Sequence, residues 1–156
     1  LKNTRSVDEL DTKDELDRFD AIYLPGGHGT MWDMPENAHL AAIVSAFYRD
    51  DRPVSAVCHG IAGFLGARDA DGNPIVRGKK INSFTDAEER AAGLDETVPF
   101  LLESALRELG ADFESSANFE AHVARDRNLI TGQNPASAEG VAQAVLDYLE
   151  ERQGPV

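Results

Sequence analysis

The chain has 156 residues, of which 42% are hydrophobic, enough to bury one core and too short for two independent domains, so a single domain over 1–156 is expected. With 28 Asp and Glu against 15 Lys and Arg its formal net charge is −13, which argues against nucleic acid as the main partner, because phosphate binding rests on clustered positive charge. No apolar run reaches the roughly 18–20 residues of a membrane span and no basic-then-apolar leader pattern opens the chain, while the one cysteine, Cys58, can build neither an internal disulfide nor a cysteine-based zinc site; a soluble cytoplasmic protein is expected.

Residues 4–20 are crowded with acids (Asp8, Glu9, Asp11, Asp14, Glu15, Asp17) around Val7, Leu10 and Leu16, which predicts a surface helix or loop with mostly solvated charges. Ala21-Ile22-Tyr23-Leu24, closed by Pro25-Gly26-Gly27, has the pattern of a buried parallel strand ending in a tight loop. Across residues 36–50, Leu40, Ile43, Val44 and Phe47 fall at i, i+3, i+4 and i+7, one apolar helix face. Pro53-Val54-Ser55-Ala56-Val57 follows as a second strand. Strand, helix, strand in this span is a βαβ unit, so the fold class is α/β with a mainly parallel sheet. Residues 60–67 are small and apolar, a short close-packed helix, and Asp71-Gly72-Asn73-Pro74 is a turn. Val98, Leu102, Ala105 and Leu109 predict another helix ending before Gly110. Short strands are expected at 112–115, 122–124 and 128–131, then a helix capped by Ser137 that buries Val141, Ala144, Val145 and Tyr148.

Ala56-Val57-Cys58-His59-Gly60 places a nucleophile between small residues two before and two after, directly behind an apolar strand. This is the nucleophile-elbow pattern with Cys in place of Ser. At such a turn the thiol stands at a helix N-terminus, where thiolate is favoured, and the His59 N–H faces a forming oxyanion. The plain alternative is a small buried hydrophobe. His59 is the adjacent candidate base, and it needs a carboxylate on its other ring nitrogen; Phe84-Thr85-Asp86-Ala87-Glu88-Glu89, expected as a strand end entering a helix, offers Asp86, Glu88 and Glu89 without choosing among them. The loop Gly26-Gly27-His28-Gly29 opens on the same sheet edge, as a candidate oxyanion or substrate-binding element or a plain turn. It is neither a dinucleotide fingerprint nor a P-loop. His28, His39, His59 and His122 show no metal-ligand spacing, so no metal is expected.

Phe19 to Gly29 (Phe-Asp-Ala-Ile-Tyr-Leu-Pro-Gly-Gly-His-Gly), Ala56-Val57-Cys58-His59-Gly60, Val98-Pro99-Phe100-Leu101-Leu102-Glu103 and Thr131-Gly132-Gln133-Asn134-Pro135-Ala136-Ser137, in that order, resemble the ThiJ/PfpI superfamily. Within it the chain is similar to the heat-shock chaperone-like group that includes the glutathione-independent glyoxalases, or glyoxalase III. The resemblance implies a flavodoxin-like three-layer sandwich, a homodimer, and a Cys58–His59–Glu89 triad, with Gly27 and His59 supplying N–H groups to an oxyanion and Gly26 and His28 beside them. It implies methylglyoxal conversion to lactate by the protein's own thiol, with a small aldehyde as substrate. Rival functions are a stress holdase chaperone, a protein deglycase, a cysteine hydrolase or amidase of the same superfamily, and a redox sensor. Ile61 stands where the group places Pro. The group also carries a strand, a helix and a further strand before the point matching Leu1, with a glutamate that contacts the nucleophile. A missing N-terminal segment is therefore expected, without which the Cys58 strand would lose a sheet neighbour.

Overall fold

The computed structural model describes residues 2–154; Leu1, the point at which the sequence places a missing front, lies outside them. Strands β1 (Ile22–Leu24), β2 (Val54–Val57), β5 (Val123–Asp126) and β6 (Leu129–Gly132) form one sheet in the order β1-β2-β6-β5. The first three run parallel, with Leu24 opposite Ala56 and Val57 opposite Gly132, and β5 closes antiparallel on β6. A second parallel pair joins β3 (Lys80–Ile81) to β4 (Asp112–Phe113).

Every residue of β2 and β6 is buried, as parallel strands covered on both faces must be. On one face lies helix α3 (Ala38–Arg49), begun by Asn37, whose side chain accepts from Leu40 N. Its Leu40, Ile43, Val44 and Phe47 pack with Leu24, Val54, Ala56 and Leu129. On the other, helix α6 (Ala138–Gln153) lays Val141 and Tyr148 against Ile130. Burying each such side chain contributes about 1.5–3 kcal/mol, so these two layers on the sheet hold the strand ends in place. Short helices α1 (Thr12–Arg18), α2 (Thr30–Asp33), α4 (Asp86–Ala91) and α5 (Leu102–Glu108) complete the set. Gly110, at φ 89°, sits just past α5 where a left-handed cap is needed.

Several expectations are corrected. The Cys58 strand keeps both neighbours, β1 and β6, and the sheet edges among the described residues are β1 and β5. The acidic stretch carries its short helix with five of the six acids exposed, as expected, and the exception is Glu15, which is buried with its carboxylate 3.2 Å from the Arg5 guanidinium while Val7, Leu10 and Leu16 pack on the core. The strand before Phe84 ends at Ile81, because Asn82 N leaves the ladder for the Thr131 hydroxyl. The segment 60–67 winds as a 3-10 helix from Cys58 to Phe64. Ser137 precedes α6 without capping it, since its hydroxyl accepts from His122 N and Asn134 N instead.

Candidate active site

At the end of β2 the chain reverses through Cys58, whose φ of 58° is a left-handed value that costs a non-glycine residue about 1–3 kcal/mol. The surrounding contacts enforce it. A Cβ on Gly60 would stand 2.3 Å from the Leu24 carbonyl oxygen, and one on Gly26 would stand 2.9 Å from the Cys58 Cβ, so the elbow closes only with hydrogen at both positions. The glycine loop after β1 and the turn after β2 are tied by Thr30, whose hydroxyl lies 2.8 Å from the Gly27 carbonyl oxygen and 2.9 Å from that of His59.

The elbow sets Cys58 Sγ 3.2 Å from His59 Nδ1, and His59 Nε2 lies 2.6 Å from Glu89 Oε2. Glu89 comes from the first turn of α4, which a reciprocal capping box between Thr85 and Glu88 fixes in place. With Glu89 ionised, His59 donates through Nε2–H and turns an unprotonated Nδ1 toward the thiol. The His59 ring is fully buried between Phe84, 4.6 Å centroid to centroid, and His28 at 4.0 Å. The backbone N–H groups of His59 and Gly27 lie close enough to Sγ to favour its charged form.

Burial pushes the Cys58 thiol up to about 11, with the Glu88 and Glu89 charges adding to it and the two N–H groups opposing it. Burial also lowers the His59 pKa, against the raising effect of Glu89. Both displacements favour a neutral thiol beside a neutral imidazole over the ion pair, opposite in direction to the thiolate expected from the turn alone. A 3-10 turn on a buried cysteine does not offset the desolvation of the charge. Formation of the nucleophile requires proton transfer from Sγ to Nδ1.

Of the three acids left open by sequence, Glu89 alone meets His59. Asp86 accepts instead from the Ser104 hydroxyl and N–H. Glu88, fully buried, takes Thr85 N on Oε2 and Phe119 N, Gln133 Nε2 and Asn134 Nδ2 on Oε1. Burial alone would raise its pKa, but these donors together hold it below the ordinary carboxylate range. Gln133, Asn134 and Phe84 had no role assigned from sequence; the Thr-Gly-Gln-Asn-Pro segment carries two of the anchors of Glu88, and Phe84 opens the Phe-Thr-Asp-Ala-Glu-Glu segment. Gly26 packs against the elbow, and His28 joins the site through its ring, with Nε2 2.8 Å from Glu89 Oε1. His39 bonds the Leu10 carbonyl and His122 lies 3.3 Å from Glu114, both outside the site. Donor atoms of His28, His59 and Glu89 fall within 4.8 Å of one another, a grouping the spacing did not foretell. Both Nε2 atoms are spent on the same carboxylate, which makes the trio a hydrogen-bonded chain.

The sequence profile of the DJ-1/PfpI family matches residues 3–148. The chain belongs to the DJ-1/PfpI family. It is 34% identical over 140 residues, 86% of its length, to the glutathione-independent glyoxalase HSP31 of Saccharomyces cerevisiae. The crystal structure of glyoxalase III from Candida albicans superposes with a TM-score of 0.87 over 96% of the chain at 31% identity. That of the Rapid Encystment Protein 24 kDa of Francisella tularensis gives 0.87 over 94% at 38% identity. The chain spans 59% of the length of the first of these DJ-1/PfpI proteins, 64% of the second and 63% of the third. The mainly parallel α/β sandwich is the fold of this family.

Proposed function

We propose that the protein is a glutathione-independent glyoxalase that converts methylglyoxal to lactate. The observation that carries this is the unbroken Cys58–His59–Glu89 chain at a left-handed elbow, on a sequence whose relatives include proteins of that name. Cys58 gives its proton to His59 Nδ1 as Sγ adds to the aldehyde carbon, forming a hemithioacetal whose oxygen faces the N–H groups of His59 and Gly27. His59 returns that proton to the oxygen. His59, neutral again, takes the hydrogen of the former aldehyde carbon as a proton to give an enediolate, and return of that proton to the neighbouring carbon, with the hydroxyl proton passing to the neighbouring oxygen, gives a lactoyl thioester. Water cleaves the thioester and restores the thiol. One carbon is oxidised and its neighbour reduced, so no external oxidant or reductant enters the balance and the steps as written require no cofactor. The same reading takes a small aldehyde as partner and a cytoplasmic homodimer as the working form.

The test is methylglyoxal loss with lactate gain, without glutathione, by the full-length protein and its Cys58→Ala variant. Turnover in the first and none in the second is expected; no turnover by the folded parent overturns the proposal. A holdase activity is favoured by the exposed rings of Phe19, Tyr23, Trp32 and Phe119. Suppression of aggregation that survives Cys58→Ala would assign it to that surface.

A further inference from the structure

The Glu89 side chain is almost wholly buried, yet among the described residues its carboxylate bonds no backbone N–H, lysine or arginine. Its two oxygens are divided between two imidazoles, His59 Nε2 on Oε2 and His28 Nε2 on Oε1. The rings come from the loops that follow the adjacent parallel strands β1 and β2, which is why they stand face to face at 4.0 Å with planes tilted by 40°. Thr30 ties those loops, and Phe84 packs 5.9 Å from the His28 ring on its edge. The His59 side chain is 1% exposed and that of His28 is 38% exposed, so His28 is where the chain of bonds meets solvent.

The last torsion of a glutamate is broad and roughly two-fold, so packing alone fixes the carboxylate plane poorly. A second donor on the opposite oxygen fixes it well. We propose that His28 is a positioning residue: by donating Nε2–H to Glu89 Oε1 it holds Oε2 on His59 Nε2, keeps His59 in the tautomer with a bare Nδ1, and so sets how readily Cys58 yields its proton. Its role in turnover rests on the glyoxalase reading, whereas its role in thiol reactivity does not.

The experiment uses full-length protein and the variants His28→Ala, His28→Leu and His28→Gln. Glutamine keeps an N–H near the place of Nε2, and leucine keeps bulk without a donor. Two quantities are read at pH 7: the rate of Cys58 alkylation by iodoacetamide, and kcat and KM for methylglyoxal. The expected result is alkylation slowed roughly tenfold in the Ala and Leu variants, the effect of losing one charge-assisted hydrogen bond, and recovered to within about threefold by Gln. On the same grounds kcat falls in parallel and KM stays within about twofold. Alkylation by His28→Ala at the parental rate overturns the proposal. So does a Gln variant as slow as Ala while Leu matches the parent, because that pattern is packing. Were neither parent nor variant to turn over methylglyoxal while the alkylation order held, the positioning role would stand and the glyoxalase reading would fall.

Discussion

Replacing Glu88 by alanine tests whether the site rests on a buried charge that takes no part in the chemistry. The carboxylate accepts four hydrogen bonds: Thr85 N at 2.9 Å, Phe119 N at 2.7 Å, Gln133 Nε2 at 3.1 Å and Asn134 Nδ2 at 2.9 Å. Two of these donors have a second acceptor, since Asn134 Nδ2 also reaches Glu120 O and Gln133 Nε2 also reaches Ala117 O. Thr85 N and Phe119 N have no other acceptor among the described bonds. Two orphaned donors at about 1–3 kcal/mol each predict a loss of roughly 2–6 kcal/mol, a large part of the stability of an ordinary domain. Glutamine in its place keeps an acceptor for the three donors on Oε1 but turns an N–H toward Thr85 N, and about 1–3 kcal/mol is expected. Urea unfolding of the full-length protein, followed by the fluorescence of Trp32, measures both. An alanine variant within about 1 kcal/mol of the parent, or one no less stable than the glutamine variant, would refute the accounting.

Glu89→Gln should lower kcat by roughly a hundredfold or more with little change in KM, because the amide cannot hold the developing imidazolium as a carboxylate does; steady-state kinetics decides it. Gly60→Ala should destabilise by about 1–3 kcal/mol or more, since the new methyl meets the rigid Leu24 carbonyl, and a melting temperature equal to the parent's would contradict the elbow geometry. Cys58 also leaves a mark on stability at high pH. The folded thiol holds its proton up to about 11 and the unfolded one to about 9, so its contribution is fully present below pH 9 and is lost as pH rises toward 11. The parent should lose about 2–3 kcal/mol more than Cys58→Ala between pH 8 and pH 11, and equal losses would show a thiol that burial does not perturb.

The βαβ unit and the elbow were legible because each is written in local pattern: apolar spacing along residues 36–50, and small residues two before and two after Cys58. Glu89 was reachable only through the family resemblance. Asp86, Glu88 and Glu89 occupy one helical turn, and residue type cannot tell which side each faces. Glu88 was illegible for the same reason, as its partners lie 45 and 46 positions away. Glu15 and Ser137 misled because a polar side chain that suits the surface or a cap is equally able to serve a distant donor. The expected thiolate failed because a sequence shows the turn but not the depth at which the sulfur sits.

That depth shapes how the cysteine should react. A thiolate ready at neutral pH gives alkylation that is fast and flat in pH, whereas a thiol held at about 11 by burial and by Glu88 and Glu89 gives a rate that climbs tenfold per pH unit through the alkaline range. His59, held neutral by burial, is able to take the proton but not to hold the charge for long without Glu89. The two pKa displacements act in the same sense, and both disfavour the ion pair at rest. Under the proposed glyoxalase reaction, charge separation belongs to the moment of attack, when the new oxyanion replaces the thiolate and the N–H groups of Gly27 and His59 receive it. Mild peroxide at neutral pH should then leave Cys58 unoxidised, and a sulfinate mass increment would favour the redox-sensor reading instead. Iodoacetamide rates on the full-length protein between pH 6 and pH 10 decide the matter: a steady climb is expected, and a plateau beginning near neutrality would show a standing thiolate and overturn this account of the site.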